Sequence, residues 1–441
     1  MFSNKDLKNL ILPLIVEQLL AVTIGIADTV MVSSCGEAAV SGISLVDSIN
    51  ILLITVFSSL ATGGAVIAAQ YLGKGEPHNA SKAAKQLEYL VLGISILIMG
   101  LAIAFRNVTL SAIFGAIEPD VMSNAQIYFL LSALSYPALA VYNAGAALFR
   151  SMGDSRTSML ISILMNAINV GGNALLIFGF GMGVAGAAAA SLVSRIVGAV
   201  VITLLLLNRD RKIHLDNIRK FEWKPDMIKK ILRIGVPNGL ENSIFQIGKI
   251  LVASVVAGFG TVSITANAIG GNLASIQIIP GQAIGMAMLT VVGQCIGAKD
   301  YEGVKKYVRK LMAVTYLATW AVTLFMVLFS RNIVGFYSLS GESAALTIEV
   351  FMVHAVCCAV IWPPAFALPN ALRAASDVKF TMLVSLFSMW IFRIGFSYVL
   401  AVYFQMGVLG IWVAMCIDWF CRAIFFVARF LSGKWRKAGS V

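Results

Sequence analysis

Between residues 8 and 431 the chain alternates long apolar runs with short breaks made of charged residues, glycine and proline. A helix needs about 20 apolar residues to cross hydrocarbon, and the runs have that length. They are continuous, without the polar and apolar alternation of a membrane barrel strand. The pattern predicts twelve helical spans, near 8–33, 43–72, 84–106, 119–149, 156–179, 184–208, 226–258, 264–296, 303–329, 343–371, 378–404 and 408–431. The one long polar connection, 209–225, falls after the sixth span. This predicts an all-α integral membrane protein with an N-terminal six-helix lobe over 1–208, a linker over 209–225 and a C-terminal six-helix lobe over 226–441.

The two halves repeat one another. Pro13 and Glu17 recur as Pro237 and Glu241, a shift of 224 residues, and Gln70 with Gly73 recurs as Gln294 with Gly297 at the same shift. Met182, Gly183, Val184 and Gly186 return as Met406, Gly407, Val408 and Gly410. One offset at both ends of the halves marks a duplicated bundle, so the lobes are pseudo-symmetric. Paired lobes around a central site suit a secondary transporter, because rocking exposes one cavity to either side in turn.

Composition agrees: 59% of the 441 residues are hydrophobic and 12% charged, with a mean hydropathy of +0.88. The net charge of +12 would suit nucleic acid if the basic residues were clustered for it. They are instead sorted by side. With Lys5 and Lys8 inside, the even-numbered connections carry Lys74, Lys82, Lys85, Arg150, Arg156, Lys299, Lys305, Arg373 and Lys379, whereas the opposite ones hold Arg106 and Arg331. This positive-inside bias places both termini in the cytoplasm of a multi-pass cell-membrane protein surrounded by lipid, and we assign no nucleic-acid partner. The linker, with Arg209, Arg211, Lys212, His214, Asp216, Arg219, Lys220 and Glu222, reads as a solvated tether. The six cysteines form no C-x-x-C pair, so no disulfide framework, metal cluster or cofactor is expected. The first span lacks a small-residue cleavage site and is expected to stay in the mature protein.

Charged and polar groups inside spans are costly in lipid and are the first functional candidates. Glu17 and Asp28 lie eleven residues apart in the first span, on roughly the same face about 16 Å apart. Pro13 and Gly25 can loosen that helix, and Pro237 repeats Pro13; we read these three as hinges. The plainer alternative puts Glu17 near the cytoplasmic interface and Asp28 in water at the outer mouth. Asn166, Asn169 and Asn173 form a stripe on the fifth span, and Ser191 on the sixth could add a hydroxyl. With Asp28 the stripe could bind a sodium ion, at Asp28, Asn169 and Asn173, or hold a proton network; the alternative is interhelical hydrogen bonding alone.

The second half differs. Glu241 repeats Glu17 and joins the coupling candidates, whereas Asn169 and Asn173 become Arg393 and Ser397. Gln70, Gln246, Lys249, Gln294, Arg393 and Asp418 are candidates for a substrate cavity or a charge network. Lys249 could pair with Asp418, and Arg393, Asp418 and Arg422 read best as a structural network. Flexible Met and aromatic side chains suit a cavity for varied amphiphilic cations.

The tracts PLIVEQLLAVTIGIADTVMVS, AAQYLGKGE, VGQCIGAKD, FRSMGDSRTSM, LRAASDVKFTM and GVPNGLEN together resemble the multidrug and toxic compound extrusion transporters of the wider flippase superfamily. The resemblance spans essentially the whole chain. It implies two six-helix lobes around a V-shaped cavity and export of cationic or amphiphilic small molecules, driven by inward movement of sodium ions or protons; we expect a monomer. It places Asp28, Asn169, Asn173 and Ser191 at the family's first-lobe cation site, with a neutral Asn173 where some branches carry an acid. A lipid-linked sugar flippase is the alternative, but Arg195, Lys249, Arg393 and Arg422 are few and balanced by acids. A membrane enzyme is disfavoured, since His78, His214 and His354 are scattered and no D-D-x-x-D-like cluster exists.

Overall fold

The computed structural model describes residues 2–115, 117–216, 220–337 and 339–438. All regular structure among them is helical. Among the described residues twelve helices are long and apolar enough to cross a membrane, in agreement with the twelve apolar runs. The first span, Asn4–Ser33, opens with a capping box in which Ser3 and Asp6 bond each other's backbone N–H groups. It is followed by Glu37–Gly73, Pro77–Ala104, Pro119–Ser151, Ser155–Gly179 and Gly183–Leu206. Gly36 and its repeat Gly260 enter the second and eighth spans at φ of +98° and +84°, where a side chain would be strained.

The seventh span is Pro225–Ala257, the ninth Tyr301–Leu328 and the twelfth Gly407–Leu431. The other three spans of this half are interrupted, where the apolar pattern predicts single runs. The eighth divides into Thr261–Gln277 and Ile279–Gly297, and Pro280, which has no N–H to continue the ladder, stands at the break. The tenth, Gly341–Val360, passes through a wide turn at Pro363–Ala367 into Leu368–Ala374. The eleventh, Val378–Tyr403, ends in π turns.

One π turn is itself repeated at the 224-residue offset, as Ala174–Gly179 and Tyr398–Tyr403. Each is packed by a glycine of the next span. A Cβ on Gly186 would lie 3.0 Å from Leu176 Cβ, and one on Gly410 would lie 2.8 Å from the Ala401 backbone nitrogen. The repeated glycines thus exist to let a widened helix end approach.

The chain divides into two compact units, Ser3–Gly239 and Leu240–Val441 with Met1–Phe2. The division falls within the seventh span. In the first unit one apolar cluster gathers Val46, Leu110, Ala125 and Phe129, and another Val32, Ile43, Ile177 and Val184. In the second unit Val350, Trp362, Trp412 and Trp419 share one cluster.

The linker is not the solvated tether its charge suggests. Ile213 and Leu215 are buried, and the Gln86 side chain donates to the Glu222 carbonyl at 2.5 Å while accepting from Lys224 N at 2.9 Å. His214 N donates to Ser81 Oγ at 3.2 Å, and Arg211 pairs with Asp154 at 2.7 Å. Two apolar side chains among the charges are enough to seat the segment on the first unit. Glu222 stays at its surface, where a hydrogen bond from Lys220 holds its carboxyl below the usual carboxylate range. Arg219 lies outside the described residues.

Candidate cation site in the first unit

The first span runs as one helix through Pro13 and Gly25 to Ser33. It presents Asp28 and Thr29 to a cavity of about 120 Å³. Ser44 and Asp47 of the second span, Tyr128 of the fourth, Asn173 of the fifth and Ser191 of the sixth complete its polar lining. Asn173 Nδ2 donates to Asp28 Oδ1 at 2.6 Å, and Asn169 Nδ2 donates to Ser191 Oγ at 3.0 Å. Asn166 instead donates to Ser162 within its own helix, at 3.4 Å, so the third member of the stripe stands outside this arrangement.

Those two amide donors fix the direction of the opposite ends. Asn173 is 1% exposed and Asn169 is 6% exposed, and the Oδ1 of each is buried with no hydrogen-bond partner. Leaving such an acceptor unpaired costs about 1–3 kcal/mol. A cation would supply what is missing, because carboxylate and amide oxygens are the donors a hard ion prefers.

Asp47 and Tyr128 are absent from the sequence-based candidates. Asp47 accepts from Asn50 Nδ2 at 3.2 Å and from the Tyr128 hydroxyl, and Asn50 Oδ1 accepts from Tyr136 at 2.9 Å. An acid and an amide at i and i+3 within a span were the available signal. Arg195 stands close enough for both Asp28 and Asp47 to feel its charge, and it donates to Ser135 Oγ at 2.6 Å.

Two coupling candidates are held in ion pairs. Glu17 pairs with Arg150 at 2.9 Å and accepts from Ser158 Oγ at 3.0 Å. Glu241 pairs with Arg373 at 2.7 Å and accepts from Ser385 Oγ at 2.6 Å, its other oxygen being buried and unpartnered. A carboxylate already neutralised by a guanidinium lacks the free charge a cation site needs. The repeated glutamates are therefore repeated clamps, each fastening the start of its unit to an arginine more than a hundred residues away.

The anticipated Lys249–Asp418 pair does not form. Asp418 is held by Arg422 at 2.8 Å and by Ser388 Oγ at 2.5 Å, and the Arg422 guanidinium lies 5.4 Å over the Phe245 ring. Arg393 Nε is buried without a partner. Gln70 is buried, Gln246 and Gln294 are half-buried, and all three lie outside the cation cavity. At the 224-residue offset Asp28, Asn169, Asn173 and Ser191 become Val252, Arg393, Ser397 and Met415, so the second unit carries no copy of this site.

The MatE family model matches residues 13–175 and 237–399, two segments separated by the same 224 residues as the internal repeat. The "Probable multidrug resistance protein NorM" of Thermotoga maritima is 28% identical over 444 residues, covering 98% of this chain and 93% of that protein. The "Uncharacterized transporter YisQ" of Bacillus subtilis is 26% identical over 442 residues, covering 97% and 94%. A solved outward-facing structure of a multidrug resistance MATE family transporter of the MOP superfamily superimposes with a TM-score of 0.92, at 20% identity, over 98% of this chain and 96% of the other, which shows a shared fold. Duplicated at one offset, helical throughout and matched by the family model in both halves, this chain belongs to the MatE family of membrane transporters.

Proposed function

We propose that this protein is a secondary antiporter that exports cationic or amphiphilic compounds in exchange for sodium ions or protons. The observation that carries the reading is the buried amide oxygen of Asn173, without a hydrogen-bond partner among the described residues, on a side chain whose nitrogen bonds Asp28 in the cavity. Entry of a cation there satisfies the Asn173 acceptor and neutralises the carboxylate. Such a ligand shifts the balance between conformations by its differential affinity for them. Ser191 acts by orienting Asn169, and Gly25, which lines the cavity, is the hinge we favour on the first span.

The multidrug part of the reading rests on the NorM relative and on the chain's apolar, Met-rich composition. The lobes are proposed as 1–208 and 226–441, joined by 209–225, in an inner or plasma membrane with both termini cytoplasmic and the chain acting as a monomer. The flippase alternative is weaker, since Asp418 consumes the charge of Arg422 and two acids share the surroundings of Arg195.

The test is efflux of a fluorescent cation from vesicles under separately imposed sodium and pH gradients. Asp28→Asn should accumulate in the membrane yet lose gradient-driven efflux. Wild-type efflux by that variant would refute the proposal.

A further inference from the structure

With Asp28 as its one acid, the cavity would carry no net charge. Asp28 contributes one negative charge and Arg195 one positive charge, and a site with no net charge has little electrostatic hold on a monovalent cation. Arg195 is felt from outside the lining, and among the described residues the ionisable groups that line the cavity besides Asp28 are Asp47 and the phenol of Tyr128. Asp47 enters the same cavity from the second span and also feels Arg195. Its hydrogen bonds come from Asn50 and Tyr128, neutral groups that orient a carboxylate without cancelling its charge. Tyr136 in turn fixes Asn50 by donating to Asn50 Oδ1 at 2.9 Å. The cavity therefore holds two carboxylates, one on a helix proposed to flex and one anchored, together with the unpartnered oxygen of Asn173.

We infer that Asp47 is a second cation-binding carboxylate of this transporter, offsetting Arg195 so that the empty site keeps the single negative charge that one monovalent cation neutralises. The inference rests on the cation-site reading above and assigns to Asp47 the affinity of that site. A merely structural Asp47 would serve through its hydrogen bonds to Asn50 and Tyr128, which an asparagine can largely reproduce.

The experiment reads the half-saturating cation concentration for efflux in proteoliposomes, with sodium varied at fixed pH and with pH varied in the absence of sodium. For whichever cation drives the wild type, Asp47→Asn should raise that concentration at least about tenfold. Asp47→Asn combined with Asn173→Asp, which returns the charge from another wall of the cavity, should recover it to within about threefold. Arg195→Gln, which leaves Asp47 in place, should lower it.

An unchanged value in Asp47→Asn, or no recovery on relocating the charge, overturns the inference. Should Asp47→Asn fail to accumulate, an unchanged value in Arg195→Gln overturns it by itself. Wild-type behaviour of Asp28→Asn would instead sink the cation-site reading, and so the two failures are told apart.

Discussion

Asn173 donates an amide hydrogen to Asp28, at 2.6 Å, and is left with a buried side-chain carbonyl oxygen that nothing among the described residues satisfies. The bond directs the residue's only acceptor away from the carboxylate. Asn173→Leu removes the donor and the orphaned acceptor together. Gradient-driven efflux should fall at least about tenfold, while the melting temperature in detergent changes little because an unmet polar group has gone as well. Efflux and thermal melting of the same preparation check this.

The two glutamate clamps should behave oppositely to Asp28. Glu17→Gln and Glu241→Gln each remove the acidic partner of a half-buried arginine, which costs up to about 3 kcal/mol. The expected result is a lower melting temperature with an unchanged half-saturating cation concentration. Glu17→Gln combined with Arg150→Gln should regain part of the lost stability, since the stranded charge is then removed.

Gly186 and Gly410 face π turns with no room for a side chain. Gly410→Val should destabilise by about 1–3 kcal/mol or more, because the nearest atoms are backbone and cannot rotate aside. Gly186→Val should behave similarly, with a smaller loss since its nearest atoms lie at 3.0–3.1 Å and those of Gly410 begin at 2.8 Å. Membrane yield and thermal melting would register the order.

Gly25 offers the contrasting case, as an added Cβ would meet nothing within 4 Å. Gly25→Ala should leave the melting temperature unchanged or slightly raised, by up to about 1 kcal/mol from helix propensity. Turnover should nonetheless fall, because a stiffer first span bends less readily. Equal turnover in the variant would remove Gly25 from the mechanism.

Gln86 is the clasp of the linker, bonding both Glu222 and Lys224. Gln86→Ala should loosen 209–225 and accelerate tryptic cleavage at Arg209, Arg211 and Lys212. Transport should change far less than cleavage, since the segment lies outside the cavity. Mass spectrometry of the fragments identifies the sites.

Much of the molecule could be read from the chain alone. Lipid excludes polar backbone, so length and hydropathy were enough to count twelve spans, and a constant offset was enough to pair the halves. The price of a polar group in hydrocarbon singled out Asp28, Asn169 and Asn173; the fold then gathers Asp28 and Asn173 with Ser191 around one cavity, with Asn169 bonded to Ser191. Span interruptions were harder, because Pro280 and the π turns lie in unbroken apolar sequence and hydropathy carries no record of backbone bonding.

The chain by itself thus determined the membrane class, the duplication and the first-span carboxylate, all of which follow from composition and local spacing. Only the tertiary structure decided which acids are free. Glu17 and Asp28 look alike along the helix, yet Arg150, 133 residues from Glu17, neutralises one and leaves the other open. The spacing of Asp47 to Asn50 marks the acid within its span but not its place in the cavity: charge balance is set by distances between helices, and those exist only once the bundle has packed.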